Sequence, residues 1–283
     1  MANQTTIAKE TAVSGIGLHT GKKSKVVFKP APANTGVKFI RVDLPKKTEI
    51  KADWTNAQGV HAVRGSIIAK DGAEISTIEH IMASLYSFAI DNVIIEINSA
   101  EPPILDGSAV EFANALIKAG IQELDIAREY FIIDKSFDFE IEKTKYSVLP
   151  SDGLAIDCAI GFEHPFLKYQ RLIIDRLDKD IFIKEIAPAK TFCFDFEIEY
   201  LQKHNLSLGG SFDNAIVIGA QGILNKQPLR YQDEFVRHKI LDLIGDLYLA
   251  GKPIKAKIIA DKPGHQNNIN LVKELIKKAK IGG

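Results

Sequence analysis

Two kinds of hydrophobic pattern alternate along this chain, and their order constrains its fold most. Short runs rich in Val, Ile and Phe are separated by Gly, Pro, Asn and Asp, which marks strands bounded by turns. Strands are predicted over 25–28, 37–41, 66–69 and 92–97, then over 130–133, 154–160, 171–174, 215–218 and 257–260. Helical periodicity is rarer. It places Ile78, Ile81, Met82, Leu85 and Phe88 on one face of 76–90, and it recurs over 111–119, 194–204, 234–249 and 268–278. Each half therefore reads as several strands followed by a helix, a strand and a helix. That order predicts an α+β fold of two similar domains, 1–126 and 127–283, divided at the polar stretch 124–129, and points to an internal duplication.

The bulk numbers exclude some partners. Thirty-six basic residues balance thirty-six acidic ones, so no global charge draws the chain to nucleic acid. Residues 1–10 lack the apolar core of a signal peptide, and no apolar run approaches the roughly 20 residues that span a bilayer. A cytoplasmic protein without a transmembrane segment is expected, which leaves room for an amphiphilic substrate. Cys158 and Cys193 sit in mostly apolar runs and read as two buried thiols in a reducing compartment.

The helix over 234–249 holds the first chemical signal. Ile240, Leu243, Ile244 and Leu247 form its apolar stripe. His238 and Asp242, four apart, stack on another face, and Gly245 and Asp246 continue it. A His and a carboxylate at this spacing can share one metal ion. Spacing alone favours an ordinary solvated pair. The setting opposes it: Arg237, His238, Lys239, Asp242 and Asp246 are the ionisable groups of an otherwise almost wholly apolar stretch, and such groups are costly to bury unless paired or metal-bound.

A third ligand must come from elsewhere, and Ser76-Thr77-Ile78-Glu79-His80 is the best source. Glu79 could then work on an attacking water. The same residues also read as a helix capping box, Ser76-x-x-Glu79. His265 follows Lys262-Pro263-Gly264 between a strand and a helix, where it suits a proton donor or an ordinary surface histidine. Gly15 to Gly21 is glycine-dense and could line a site, and Gly209-Gly210 permits close backbone approach. Pro103-Ile104-Leu105-Asp106-Gly107-Ser108 reads as a structural turn ending in a helix cap. His61 and His204 carry no assignment, and His164 precedes Pro165 in an extended or turn conformation.

Taken in order, Gly17-Leu18-His19-Thr20-Gly21, Ser76-Thr77-Ile78-Glu79-His80, Leu105-Asp106-Gly107-Ser108, Lys190-Thr191-Phe192, Gly209-Gly210-Ser211-Phe212, Arg237-His238-Lys239 with Asp242-Leu243-Ile244-Gly245-Asp246, and Gly264-His265 closely resemble the UDP-3-O-acyl-N-acetylglucosamine deacetylase family, from about residue 5 to about 280. The resemblance implies two sandwich-like α/β domains, sheets packed on helices, with the active site between them. It implies a Gram-negative lipid A (lipopolysaccharide) pathway enzyme that hydrolyses the N-acetyl group of an acylated UDP-GlcNAc. His80, His238 and Asp242 match the family's zinc ligands, with iron or another divalent ion as alternatives. Glu79 matches the general base, His265 the general acid and Asp246 the carboxylate beside it. Thr191 and Lys239 match residues that steady the oxyanion or nearby substrate charge. Phe162, Phe192, Glu197, Lys262 and Gly264 fall where the family contacts the UDP-sugar. Leu18, Phe194, Ile198, Ala215 and Val217 fall along its acyl passage, with Gly210 beside them. Phe192, Phe194, Phe196 and Ile198 alternate and are expected to present an apolar wall.

Lys190 stands where the family commonly has Arg, which keeps a cation and loses the planar fork. The stretch 59–68 matches weakly and is assigned no ligand contacts. A monomer is expected, and some family members continue into a hydroxyacyl-carrier-protein dehydratase beyond the equivalent of Gly282-Gly283. The alternatives are a related metal amidohydrolase on another acylated sugar nucleotide and a non-catalytic binder of such a molecule. The co-occurrence of Glu79, His80, His238, Asp242 and His265 weighs against the binder.

Overall fold

The computed structural model describes residues 2–58 and 64–283 and has the expected α+β character. Six helices are seen among the described residues: α1 (Glu79–Ser87), α2 (Val110–Ala119), α3 (Lys179–Ile181, running into a π-helical turn at Phe182–Ile186), α4 (Asp195–Lys203), α5 (Glu234–Tyr248) and α6 (His265–Lys278).

The two main sheets share one strand plan. In the first half Val93–Ile97, the strand after α1, lies antiparallel to Lys23–Pro30 and parallel to Val37–Arg41. Thr11–Ile16 and Glu49–Lys51 add antiparallel strands on the two outer sides. In the second half Ile254–Asp261, the strand after α5, lies antiparallel to Thr144–Pro150 and parallel to Leu154–Gly161. Phe137–Ile141 and Tyr169–Ile174 again add the antiparallel outer strands. Tyr130–Ile132 and Lys280–Gly282 extend this second sheet, and Phe192–Phe194, Ile216–Gly219 and Gly222–Ile223 form a small separate one.

The sheets matter to function because of the helices they support. All nine residues of α1 are buried, and so is α5 apart from Arg237 and Lys239. A helix buried on every side must have elements all round it, and α1 and α5 pack against each other. At one end the rings of Tyr86 and Tyr248 meet edge to face at 5.1 Å. The Tyr248 hydroxyl donates to the Ile90 carbonyl (2.6 Å) and that of Tyr86 to the Ile254 carbonyl (3.3 Å), so each half supplies an acceptor for the other. At the other end the two helices bring together the ionisable groups singled out above.

Some expected elements differ. The polar stretch 124–129 is largely strand, because Ile121–Ala127 pairs antiparallel with Asn3–Ile7. Its side chains are mostly exposed, so it carries no alternating apolar signal. The hairpin Phe137–Ile141/Thr144–Pro150 escaped prediction because Glu140, Glu142 and Lys143 interrupt the pattern where the chain turns. The helix over 76–90 begins only at Glu79, and no side chain caps it, which removes the capping-box alternative.

Candidate active site

The site forms where α1 meets α5. His238 and Asp242 are 3% exposed and His80 is 4% exposed, so the solvated-pair alternative does not hold. Close approach of the helices depends on Gly245, where an added Cβ would overlap the main chain of Glu79. The His80 and His238 rings lie edge to face, 5.2 Å between centroids. One ligand atom each from His80, His238 and Asp242 lies within 4.8 Å of the others.

Their protonation states suit a cation. His238 Nδ1 lies 3.1 Å from the Ala189 carbonyl, which can only accept, so Nδ1 carries the proton. Burial lowers the pKa of this ring and outweighs Asp242, keeping it neutral. Its Nε2 lone pair then faces Asp242 Oδ1 at 3.4 Å. Burial alone would raise Asp242, but Lys239, His238 and His265 hold its carboxyl far below the usual range. Burial and the neighbouring His238 push His80 down to about 3, with Asp242 and the main chain of Ser108 opposing. Two neutral imidazoles and a carboxylate converging with no proton between them form a donor set for a divalent transition ion. The Ala189 carbonyl fixes the orientation of the His238 ring.

Glu79 and His265 form a second close group with Asp242, which both groups share. Burial pushes Glu79 up to about 7, with His265 opposing and Asp242 and Asp246 adding to the rise. Its Oε2 accepts from the Ser66 amide at 2.8 Å. His265 is the first residue of α6 and is 8% exposed, so it is no ordinary surface histidine. Burial would lower its pKa, but Asp246 and Asp242 outweigh that and raise it to about 9. His265 Nδ1 lies 2.9 Å from Asp246 Oδ2, and Nε2 lies 3.8 Å from Asp242 Oδ2.

Asp246, with no exposed surface, is itself held by neighbours that sequence reasoning missed. Asn268 Nδ2 donates to its Oδ2 at 2.7 Å, and the Ser66 hydroxyl donates to its Oδ1. Asn268 Oδ1 in turn accepts from the Tyr146 hydroxyl at 2.6 Å. Asn268 is three residues after His265 on one helix, a spacing that could have flagged it. Ser66 gives no local signal, since only the Ile67–Lys70/Ala73–Ser76 hairpin brings it near Glu79.

Two cavities adjoin this cluster. A polar one of about 230 Å³ has Glu79, His80, His238, Lys239, Asp242 and His265 in its wall. Thr191, Phe162, Phe192, Phe194 and Glu197 line it too. An apolar one of about 370 Å³ is lined by Leu18, Ile198, Gly210, Ala215 and Val217, with Leu201 and Phe212. Leu18, Arg64, Thr191, Phe192 and Cys193 line both, so the two are neighbours with a common wall. Main-chain bonds to Gly107 and Ile216 hold Thr191 at this junction.

Several expectations need adjusting. Phe194, expected along the apolar passage, lines the polar cavity. Phe196 stacks on Phe194 but is 69% exposed and lines neither cavity, because the chain turns from strand into α4 at Asp195 and the alternation ends. The Lys239 ammonium donates to Asp242 Oδ2 at 2.7 Å, engaging it with the proposed ligand rather than leaving it free. Lys262 lines an open cleft with Tyr169 and with Phe162, which also borders the polar cavity. Gly264 occupies the N-cap position of α6 in extended conformation. Lys190 donates to the Asp213 main-chain carbonyl at 2.8 Å. Cys158 is buried as expected, whereas Cys193 is only half-buried because it borders both cavities. Of the stretch given no ligand contacts, Arg64 lines both cavities and pairs with Glu197 at 2.7 Å, while Ser66 bonds Glu79 and Asp246. His61 lies outside the described residues.

Comparison with known proteins agrees with this arrangement. The family model described as LpxC, UDP-3-O-acyl N-acetylglycosamine deacetylase, matches residues 4–277. The UDP-3-O-acyl-N-acetylglucosamine deacetylase of Geobacter sp. (strain M21) is 42% identical over 278 residues, covering 98% of this chain and 90% of the relative. That of Idiomarina loihiensis is 43% identical over 280 residues, covering 98% and 90%. The bifunctional enzyme LpxC/FabZ of Chlorobaculum tepidum is 38% identical over 307 residues; the match covers 99% of this chain and 65% of that longer protein. With a family model matching nearly its whole length, the chain belongs to the UDP-3-O-acyl-N-acetylglucosamine deacetylase family.

Proposed function

We propose that the chain is a zinc-dependent amidohydrolase that removes the N-acetyl group of UDP-3-O-(3-hydroxyacyl)-N-acetylglucosamine, yielding acetate and the free amine, in the cytoplasmic synthesis of lipid A. One observation carries this: a buried His80–His238–Asp242 donor set lies beside Glu79 and His265 in a polar cavity that adjoins an apolar one. His80, His238 and Asp242 would hold the zinc, and the bound ion supplies Lewis acidity to the amide carbonyl and the attacking water.

The chain's own residues do the rest. Glu79, as carboxylate, takes a proton from the water that attacks the acetamide carbon. The Thr191 hydroxyl donates to the developing oxyanion. His265, as imidazolium, protonates the amine as the carbon–nitrogen bond breaks, and Asp246 holds it oriented and charged. Lys239 keeps Asp242 ionised. The apolar cavity accepts the fatty acyl chain, while Phe162, Phe192 and Lys262 border the space for the nucleotide-sugar. No helix among the described residues is long and apolar enough to cross a membrane, in keeping with an enzyme that meets its amphiphilic substrate from the aqueous side. The strand plan common to both sheets supports the division into duplicated domains, 1–126 and 127–283, with the site between them.

Incubating the purified chain with acylated UDP-GlcNAc, with and without a chelator, tests the proposal. Acetate release that stops on metal removal and returns with zinc is expected. Undiminished turnover in the metal-free protein would overturn it.

A further inference from the structure

We propose that Glu101 is a positioning residue that fixes two parts of the site relative to each other: the turn leading into Glu79 and His80, and the loop 17–21 that walls the apolar cavity. The proposal rests on the deacetylase assignment. Glu101 follows the strand Val93–Ile97 and has no exposed surface. Among the described residues its oxygens accept only from those two segments. The His19 amide reaches both oxygens (3.0 and 3.1 Å), and the Thr20 amide and hydroxyl reach Oε2 (2.9 Å each). The Thr77 hydroxyl lies 3.1 Å from Oε1.

Each contact sits where the chain would otherwise relax. Thr77 is β-branched and holds φ +57°, a left-handed conformation that persists only under outside restraint. This turn aims Glu79 at Ser66 and the cavity rather than back at its own helix end. On the other side, a Cβ at Gly17 would overlap the Glu101 carboxylate, so the loop closes directly onto it. The loop passes its shape onward. The Leu18 carbonyl accepts from the Gly209 amide (2.9 Å) and the His19 carbonyl from the Leu208 amide (3.1 Å). Leu18, Ser207 and Gly210 then line the apolar cavity. Among the described residues no salt bridge pairs a cation with this buried carboxylate, so it adds little net stability. What this one provides is register between the acyl wall and the helix that carries the base.

Glu101→Gln keeps the side-chain shape but turns an amide NH₂ toward donors. Amide hydrogen exchange at His19 and Thr20 should accelerate on the order of tenfold to a hundredfold. With acylated UDP-GlcNAc as substrate, kcat should fall about tenfold for every chain length. KM should rise for long acyl chains and stay nearly level for short ones. Glycine takes positive φ without strain, so the kcat loss should shrink when Glu101→Gln is made in a Thr77→Gly background. The chain-length-dependent KM rise should persist there. Unchanged exchange, kcat losses that simply add in the double variant, or a KM rise equal for all chain lengths would overturn the proposal. If Glu101→Gln fails to fold, Thr20→Val removes one donor at similar volume. It should reproduce the long-chain KM rise in smaller measure, and an unchanged KM would count against Glu101. If the wild-type chain does not turn over the substrate at all, the deacetylase assignment fails, while exchange at His19 and Thr20 still judges Glu101.

Discussion

Gly245 of α5 lies directly against the main chain of Glu79 on α1, so the two helices that build the site touch backbone to backbone. Any side chain there must push Glu79 and His80 away from His238 and Asp242. Overpacking of this kind costs roughly 1–3 kcal/mol in stability, and the displacement also opens the donor set. Gly245→Ala should therefore lower both the melting temperature and the affinity for zinc. A variant that binds metal as tightly as wild type would show that the helix spacing does not set the site.

Glu79→Gln separates chemistry from binding. Glu79 is not one of the His80–His238–Asp242 group, so its loss leaves the proposed ligand set whole. Stoichiometric zinc should remain while turnover drops by about 10²–10⁴-fold, the range for losing a general base. Metal analysis and rate measurement on the same preparation check both halves of the statement. Full activity would remove Glu79 from its assigned role.

The protonation states predict a bell-shaped pH profile. Glu79, pushed up to about 7 by burial, must lose its proton to act as base, so the rate climbs as pH rises through its pKa. A dication beside it favours the carboxylate and draws that limb lower. His265 is raised to about 9, where Asp246 and Asp242 overcome the effect of burial, and it must keep its proton, so the rate falls as pH passes that value. Asp246→Asn removes one of the charges that raise His265, and the basic limb should move to lower pH. A basic limb that stays in place would show that another group sets it.

How much of this was legible in the sequence depends on how local the cause is. The helix α5 announced itself because an apolar period interrupted by His238, Asp242 and Asp246 has few physical outcomes other than paired or metal-bound burial. The ordered motifs then supplied His80, Glu79 and His265. Ser66 and Arg64 reach the site only through tertiary folding of a segment with no distinctive pattern. Glu101 was silent for a related reason, since its donors lie 24 to 82 positions away and nothing near it in the chain marks a carboxylate with such partners. Edge strands such as Ile121–Ala127 were missed because solvent on most of their side chains erases the alternation that identifies inner strands.

The apolar cavity makes the last prediction quantitative. Ala215 and Val217 line it from the small sheet and its approach, beside Leu18 and Phe212. Each buried methylene contributes about 0.8 kcal/mol, or about fourfold in kcat/KM. For the wild-type chain, kcat/KM should climb by about that factor per methylene until the cavity is filled. Ala215→Phe shortens the available space without touching Glu79, His265 or the proposed ligands. Its profile should follow wild type for short acyl chains and level off several methylenes earlier. If the variant and the wild type instead trace the same dependence on chain length, the acyl chain does not occupy this cavity.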